Sequence, residues 1–76
     1  MAKLPAVRSR EVVRFLEQNG FVLDRTSGSH FVFFHPASKR RAVVPKHNRD
    51  MPKGTLLSLL REAGFTREEM ISFLAH

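Results

Sequence analysis

A histidine at the start of an apolar stretch is the residue best suited to chemistry in this sequence. His30 follows a Gly-Ser pair in "GSHFVFFHP", residues 28–36, and three phenylalanines and a valine come directly after it. Since an imidazole ordinarily has a pKa of about 6.5, a histidine can both accept and donate a proton near neutral pH. Cleavage of RNA needs such a group, because a base takes the proton of the attacking 2′-hydroxyl and an acid protonates the leaving oxygen. From the residues alone, however, a structural or exposed histidine is the commoner interpretation of His30.

A metal-free route needs side-chain cations that stabilise the negative charge developing at the phosphorus centre. The candidates are Arg25, Lys39, Arg40, Arg41, Lys46, Arg49 and Lys53. We expect no metal centre and no cofactor, because the sequence has only two aspartates and no carboxylate cluster. His30 and His35 would also point to opposite faces of a strand. Ser29 lacks the placed carboxylate and the nucleophile-elbow glycines of a serine hydrolase.

The other three histidines are weaker candidates. His47 lies in a basic loop over residues 46–54, where it could bind phosphate or simply be exposed. His35 precedes Pro36 at the far end of the apolar stretch, and we expect it at a solvated edge position. His76 ends the sequence, where side chains are usually frayed.

Hydrophobic periodicity predicts the elements that position these residues. We predict helices over 9–19, 53–63 and 67–75, strands over 21–25, 29–36 and 41–45, and a turn at "TSG", 26–28. Ser9 is the expected N-cap of the first helix, and Thr66 with Glu69 fits the capping box of the last one. The order is α-β-β-β-α-α, which predicts an α+β fold with a three-stranded antiparallel sheet and its helices on one face. Double-stranded-RNA-binding domains have the same α-β-β-β-α order.

The predicted central strand is apolar on both of its faces. Alternation puts His30, Val32 and Phe34 on one face and Phe31 with Phe33 on the other. A half-solvated strand should instead be polar on one side. Either both faces are covered, or the open face is an aromatic contact surface, which would suit the unstacked bases of single-stranded RNA. The sequence leaves open which set faces inward.

Composition favours a polyanionic partner. The 76 residues include 13 Lys or Arg against 7 Asp or Glu, a net charge of +6. Nucleic acid is the leading partner, an acidic protein is the second, and a membrane surface is disfavoured because no helix joins a basic face to a bulky apolar one. The length predicts one domain over residues 1–76. The lack of cysteine and of any targeting or membrane-spanning stretch leads us to expect a cytoplasmic protein.

Two segments resemble a known family. "GFVLDRTSGSHFVFFHP" and "VVPKHNRDMPKGTLLSLLREAG" are similar to the HicA toxins, also called the YcfA family, which are mRNA interferases of type II toxin–antitoxin systems. The most specific pieces are G-S-H at 28–30, V-P-x-H at 44–47 and K-G-T-L at 53–56. The resemblance extends from the first helix to about Phe73.

The resemblance implies a function and a set of site residues. It implies a double-stranded-RNA-binding-like fold, metal-independent cleavage of mRNA by one catalytic histidine, and inhibition by a HicB-type antitoxin, which we expect to be acidic. Carried over, the catalytic residue is His30. Gly28 would let the turn approach the substrate, Ser29 would orient His30 or the phosphate, and His47 would bind RNA or act as the second proton-transfer group. Lys53, at the start of the second helix, could hold a phosphate.

The residues expected to bind RNA are Arg25, Lys39, Arg40, Arg41, Lys46 and Lys53. The same basic surface would also serve two other functions. One is a non-catalytic RNA- or DNA-binding module, which would bind with a strong dependence on salt and cleave nothing. The other is an interaction subunit that docks an acidic protein, which is compatible with a toxin.

Overall fold

The helices and strands of the described residues follow one another in the order that the sequence predicts. The computed structural model describes residues 3–47 and 49–76. Residues 1–2, and residue 48 in the predicted basic loop, lie outside the described residues. The elements are α1 (Ser9–Gln18), β1 (Val22–Ser27), β2 (His30–Phe34), β3 (Arg41–Pro45), α2 (Lys53–Ala63) and α3 (Arg67–Ala75).

The strands form an antiparallel sheet in the order β1-β2-β3, so β2 is the central strand. β1 continues to Ser27, and the turn therefore contains only Gly28 and Ser29 rather than the predicted "TSG". Gly28 has a φ of +57°, the sign that a type II′ turn requires at its first central position. With one helix before the sheet and two after it, the predicted α+β fold with the α-β-β-β-α layout is confirmed.

The helices cover one face of the sheet, and this settles which aromatic residues of β2 face inward. Phe33 is only 2% exposed and lies opposite the buried Ala42 of β3, while Phe31 lies opposite the buried Val44. These side chains pack with the apolar faces of the helices. The buried core consists of Leu4, Val7, Val12, Phe15, Leu16, Phe21, Phe33, Ala42, Val44, Met51, Leu56, Leu59, Leu60, Ala63 and Met70.

The start of α1 differs from the prediction. Ser9 is the first helical residue and is buried, whereas the N-cap position belongs to Arg8. The backbone N–H of Arg8 donates to Oε1 of Glu11 at 2.9 Å, so the glutamate of the first turn satisfies a donor at the helix start. The expectation that Ser9 caps the helix is therefore wrong: Ser9 is buried and lies inside the helix, which starts one residue earlier than a cap at Ser9 implies.

The capping box of α3 is confirmed. The Glu69 N–H donates to Oγ1 of Thr66 at 3.1 Å, and the Thr66 N–H donates to Oε1 of Glu69 at 2.8 Å. Each side chain thus satisfies a backbone donor that the first turn leaves without a helical partner.

Replacing Thr66 with alanine should lower the free energy of unfolding by about 1 kcal/mol, because one capping acceptor is lost. For a domain of this size, that corresponds to a decrease in Tm of roughly 4–8 °C. Thermal unfolding followed by circular dichroism would measure the change. Ser72→Ala, an exposed substitution later in α3, is the matched control and should leave Tm unchanged or slightly raised. Equal Tm values for the two variants would show that the cap contributes nothing.

His35 has a structural role, contrary to the expected solvated edge position. It is half-buried, and its ring meets the Phe21 ring edge-on with centroids 5.0 Å apart. Its Nδ1 accepts a hydrogen bond of 3.1 Å from the Ser38 N–H, which closes the turn after β2. The ring also packs against Gly20, where a Cβ would lie 2.9 Å from Nε2. His35 therefore anchors the end of β2 to the end of α1.

Candidate functional site

His30 is presented at the sheet end by the hairpin turn. It is the first residue of the central strand, lies between Ser27 of β1 and Pro45 of β3, and is exposed. Since Phe31 and Phe33 point toward the helices, alternation sends the His30 side chain to the opposite side. Of the described heavy atoms beyond its chain neighbours, none lies within 4 Å of a Cβ placed on Gly28. The turn beside His30 is therefore open to a ligand.

The positively charged ammonium group of Lys46 lies next to this turn. Its backbone N–H donates to the Ser29 carbonyl at 2.8 Å, and its Nζ donates to the Gly28 carbonyl at 3.4 Å. The same Nζ lies 5.1 Å from the centroid of the Phe31 ring. Three contacts thus restrain Lys46 beside the Gly-Ser-His segment. The sequence could not predict this arrangement, because it depends on the pairing of β3 with β2.

The face of the sheet away from the helices, here called the open face, carries an apolar centre with cations around it. It is formed by Val22, Arg25, Ser27, His30, Val32, Phe34, Arg41, Val43 and Pro45. Val43 is 44% exposed, while Val32 is only 7% exposed between Arg25 and Val43 on the neighbouring strands. The two apolar faces of β2 therefore have different roles: one set of side chains builds the core, while on the open face Val32 is covered by its neighbours and Phe34 is half-buried.

On the open face, two cationic side chains lie close to the aromatic ring of Phe34. The Arg41 guanidinium lies over its ring at 4.7 Å from the centroid, and Lys39 Nζ lies at 6.0 Å. Asp24, at the irregularity in β1, accepts from Arg41 at 3.0 Å and from Arg25 at 3.4 Å. These pairs are exposed, so each contributes little to stability. The sequence alone does not indicate this role of Asp24, because its contact with Arg41 spans 17 residues.

Two of the predicted RNA-binding cations lie elsewhere. Arg40 donates from Nη1 to the Glu62 carbonyl at 3.2 Å and packs against Gly64, so it satisfies a carbonyl at the end of α2. Lys53 is exposed at the first position of α2, after the loop that leaves the His30 end of the sheet. The structure does not group these two residues with the cations around Phe34.

His47 and His30 lie on different sides of the sheet. His47 is exposed and lines a groove on the helix-bearing side, which we call the Phe31 groove. This groove has a volume of about 400 Å³ and is lined by Ser9, Arg10, Val13, Phe31, Lys46 and His47. The sequence predicts α1 as a helix but indicates no role for it in a site, because the groove it forms with β2 is a tertiary arrangement with no local pattern.

Within residues 3–47 and 49–76, no three His, Cys, Asp or Glu side chains are grouped so that they could hold a metal ion. Over the same residues, no helix is both long enough and apolar enough to cross a membrane.

Comparison with known proteins identifies the family of this sequence. The family described as "HicA toxin of bacterial toxin-antitoxin" matches residues 9–65, which is well over half of the chain. The matched range includes the Gly-Ser-His segment, the whole sheet, α1 and α2. Among curated proteins, none matches the chain significantly. The chain therefore belongs to the HicA toxin family and is a toxin of a bacterial toxin–antitoxin system, which implies an antitoxin as its partner.

Proposed function

We propose that this toxin is a metal-independent endoribonuclease that cleaves mRNA with His30 as its proton-transfer residue. The observation that carries the proposal is the position of His30: an exposed histidine that directly follows an open two-residue turn, with the restrained Lys46 cation beside that turn. An exposed histidine that begins a strand has no evident packing role, in contrast to His35.

The reaction follows from these groups. A base removes the 2′-hydroxyl proton of the RNA, the 2′-oxygen bonds to the adjacent phosphorus, and the bond from phosphorus to the 5′-oxygen breaks. The leaving 5′-oxygen takes up a proton, so the products are a 2′,3′-cyclic phosphate and a 5′-hydroxyl. His30 would transfer one or both of these protons, and Lys46 would stabilise the charge on the phosphoryl oxygens. Ser29 and Gly28 would position the phosphate at the turn.

RNA would bind to the cationic side chains at the end of the sheet where His30 lies and to those on the open face. Arg41 and Lys39 lie at the ring of Phe34, which would serve for base stacking, and Arg25 lies on the same face beside Asp24. Lys46 and His47 would contact the backbone near the scissile phosphate, and Lys53 would bind a more distant phosphate. Arg40 would contribute mainly through its charge, since its guanidinium is engaged at α2.

The antitoxin would be an acidic HicB-type protein that blocks the same surface. The net charge of +6 and the displayed side chains Val22, Val43 and Phe34 favour a partner with acidic and apolar groups in one interface. Such a partner would exclude RNA from the open face and from His30 at once.

Removal of divalent metal should leave cleavage unchanged. We expect the purified toxin to cut single-stranded RNA at the same rate in excess EDTA as in magnesium, because side chains supply the proton transfer and the cationic charge. Gel analysis should show fragments that end in 2′,3′-cyclic phosphate or 3′-phosphate.

Two outcomes would contradict the proposal. Cleavage that stops in EDTA and returns with added metal would point to a metal-dependent nuclease. Binding without cleavage, with log K falling by roughly 0.7 per neutralised phosphate for each tenfold rise in salt, would identify a passive RNA-binding module.

A further inference from the structure

The Phe31 groove lies on the helix-bearing side of the sheet, and of its lining residues the reaction described above uses only Lys46 and His47. Its walls are the first turns of α1 and the segment that follows β3, and its floor includes the ring of Phe31. A volume of about 400 Å³ is near the lower end of the range for small-ligand sites. The groove therefore has room for a small planar group with its substituents.

The lining combines an apolar floor with a cationic rim. Val13 and Phe31 are half-buried and supply the apolar surface. Arg10, Lys46 and His47 supply hydrogen-bond donors, and among the described residues that line the groove none is acidic. An aromatic floor under a cationic rim suits a ligand with a flat π system and a negative charge, which is the chemistry of a nucleotide.

The groove adjoins the Gly28–Ser29 turn that precedes His30. Phe31 directly follows His30 in β2, and Lys46 contacts both the Gly28 carbonyl and the Phe31 ring. Because consecutive strand residues point to opposite faces, an RNA strand that crosses this end of the sheet would reach His30 on one side and Phe31 on the other.

We propose that the Phe31 groove binds one nucleobase of the RNA substrate beside the scissile phosphate, and so sets the base preference of cleavage. The inference rests on the proposed ribonuclease function and extends it to a specificity site. The base lies against Phe31 and Val13, while Arg10 and His47 contact its edge or the flanking phosphate. Arg10 and Val13 thereby become recognition residues, a role that the amphipathic pattern of α1 does not indicate.

Filling the groove tests this proposal. Val13→Trp places an indole where the base would lie, and Leu57→Trp adds the same ring at an exposed position of α2 as the matched control. Both are made in a His30→Ala background, and binding is measured by fluorescence anisotropy on labelled single-stranded RNA in which one position at a time is abasic. With the groove intact, a single abasic position should weaken binding by roughly 5- to 100-fold. Val13→Trp should bind the unmodified RNA more weakly by a similar factor and lose that positional effect, whereas Leu57→Trp should keep both.

A second pair of variants, which remove a positive charge, tests the proposal if the tryptophan disturbs folding. Arg10→Gln should weaken RNA binding more than Arg14→Gln, which removes the same charge one helical turn further along α1, away from the groove. Thermal unfolding of each variant would show whether the fold is kept.

The outcomes separate this inference from the proposed function. Equal affinity and equal abasic profiles for the Val13 and Leu57 variants would overturn the groove assignment, even if the His30-containing protein cleaves RNA. Loss of antitoxin binding in Val13→Trp with RNA affinity unchanged would also overturn it and make the groove a protein contact. Conversely, a toxin that does not cleave RNA at all, yet shows the abasic effect, would refute the ribonuclease function and retain the groove as a base-binding site.

Discussion

Replacing His30 with alanine should reduce RNA cleavage by at least about 100-fold and leave the protein folded. General acid–base catalysis by a positioned side chain contributes about 10²- to 10⁴-fold, and loss of both proton transfers would place the effect at the upper end. The stability should change by no more than about 0.5 kcal/mol, because His30 is exposed and its strand pairing uses only the backbone. Initial rates on a labelled single-stranded RNA, with thermal unfolding of the same samples, would measure both quantities.

His35→Ala is the matched control, since it removes the same side chain from the other end of the same stretch. We expect the reverse pattern: lower stability by about 1–2 kcal/mol, from the lost ring contact with Phe21 and the lost hydrogen bond of Ser38, and near-normal cleavage by the folded protein. Expression in cells should show growth arrest with the His35 variant but not with the His30 variant. Wild-type cleavage by His30→Ala would refute the site assignment.

His47→Ala distinguishes the two roles considered for that residue. Because His47 lines the groove on the helix-bearing side while His30 lies on the other side, we expect weaker RNA binding and only a modest decrease in the cleavage rate at saturating RNA. A loss as large as that of His30→Ala at saturation would instead identify His47 as the second proton-transfer group.

The elements with strong local patterns were predictable from the sequence. The helices over 53–63 and 67–75 have the predicted bounds, because leucine periodicity fixes the first and the Thr66–Glu69 capping box fixes the start of the second. The end of β1 was not predictable from composition. Thr and Ser at 26–27 are common turn residues, yet a tight hairpin needs only two loop residues, and Gly28 supplies the positive φ.

The candidate site was predictable only where its residues are contiguous in the sequence. The Gly-Ser-His segment was recognised as one unit, and the structure keeps it together at the start of β2. The engagement of Arg40 with the end of α2 and the contact of Asp24 with Arg41 join residues distant in sequence, and so does the groove that Arg10 and Phe31 both line. These contacts depend on strand register and helix packing, which alternation and periodicity leave undetermined.

The assignment of the two faces of β2 leads to the second large prediction, which compares adjacent phenylalanines. Phe33→Ala should lower the free energy of unfolding by about 3–5 kcal/mol, because Phe33 is buried in the core and its loss leaves a cavity. That is a large part of the roughly 5–15 kcal/mol available to a small domain, so the variant should be partly unfolded at 37 °C. Urea denaturation followed by circular dichroism would measure the decrease.

Phe34→Ala should have a much smaller effect on stability and a larger one on binding. Phe34 is half-buried on the open face, where its ring contacts Arg41 and Lys39, and exposed cation–π contacts contribute about 0.5–1 kcal/mol each. If the open face binds RNA by stacking, the same change should weaken RNA binding by roughly 1–3 kcal/mol. A Phe34 variant as unstable as the Phe33 variant would mean that a further layer covers the open face. Unchanged RNA affinity with weakened antitoxin binding would instead assign Phe34 to the antitoxin interface, and the path of the RNA would then follow His30, Lys46 and the Phe31 groove alone.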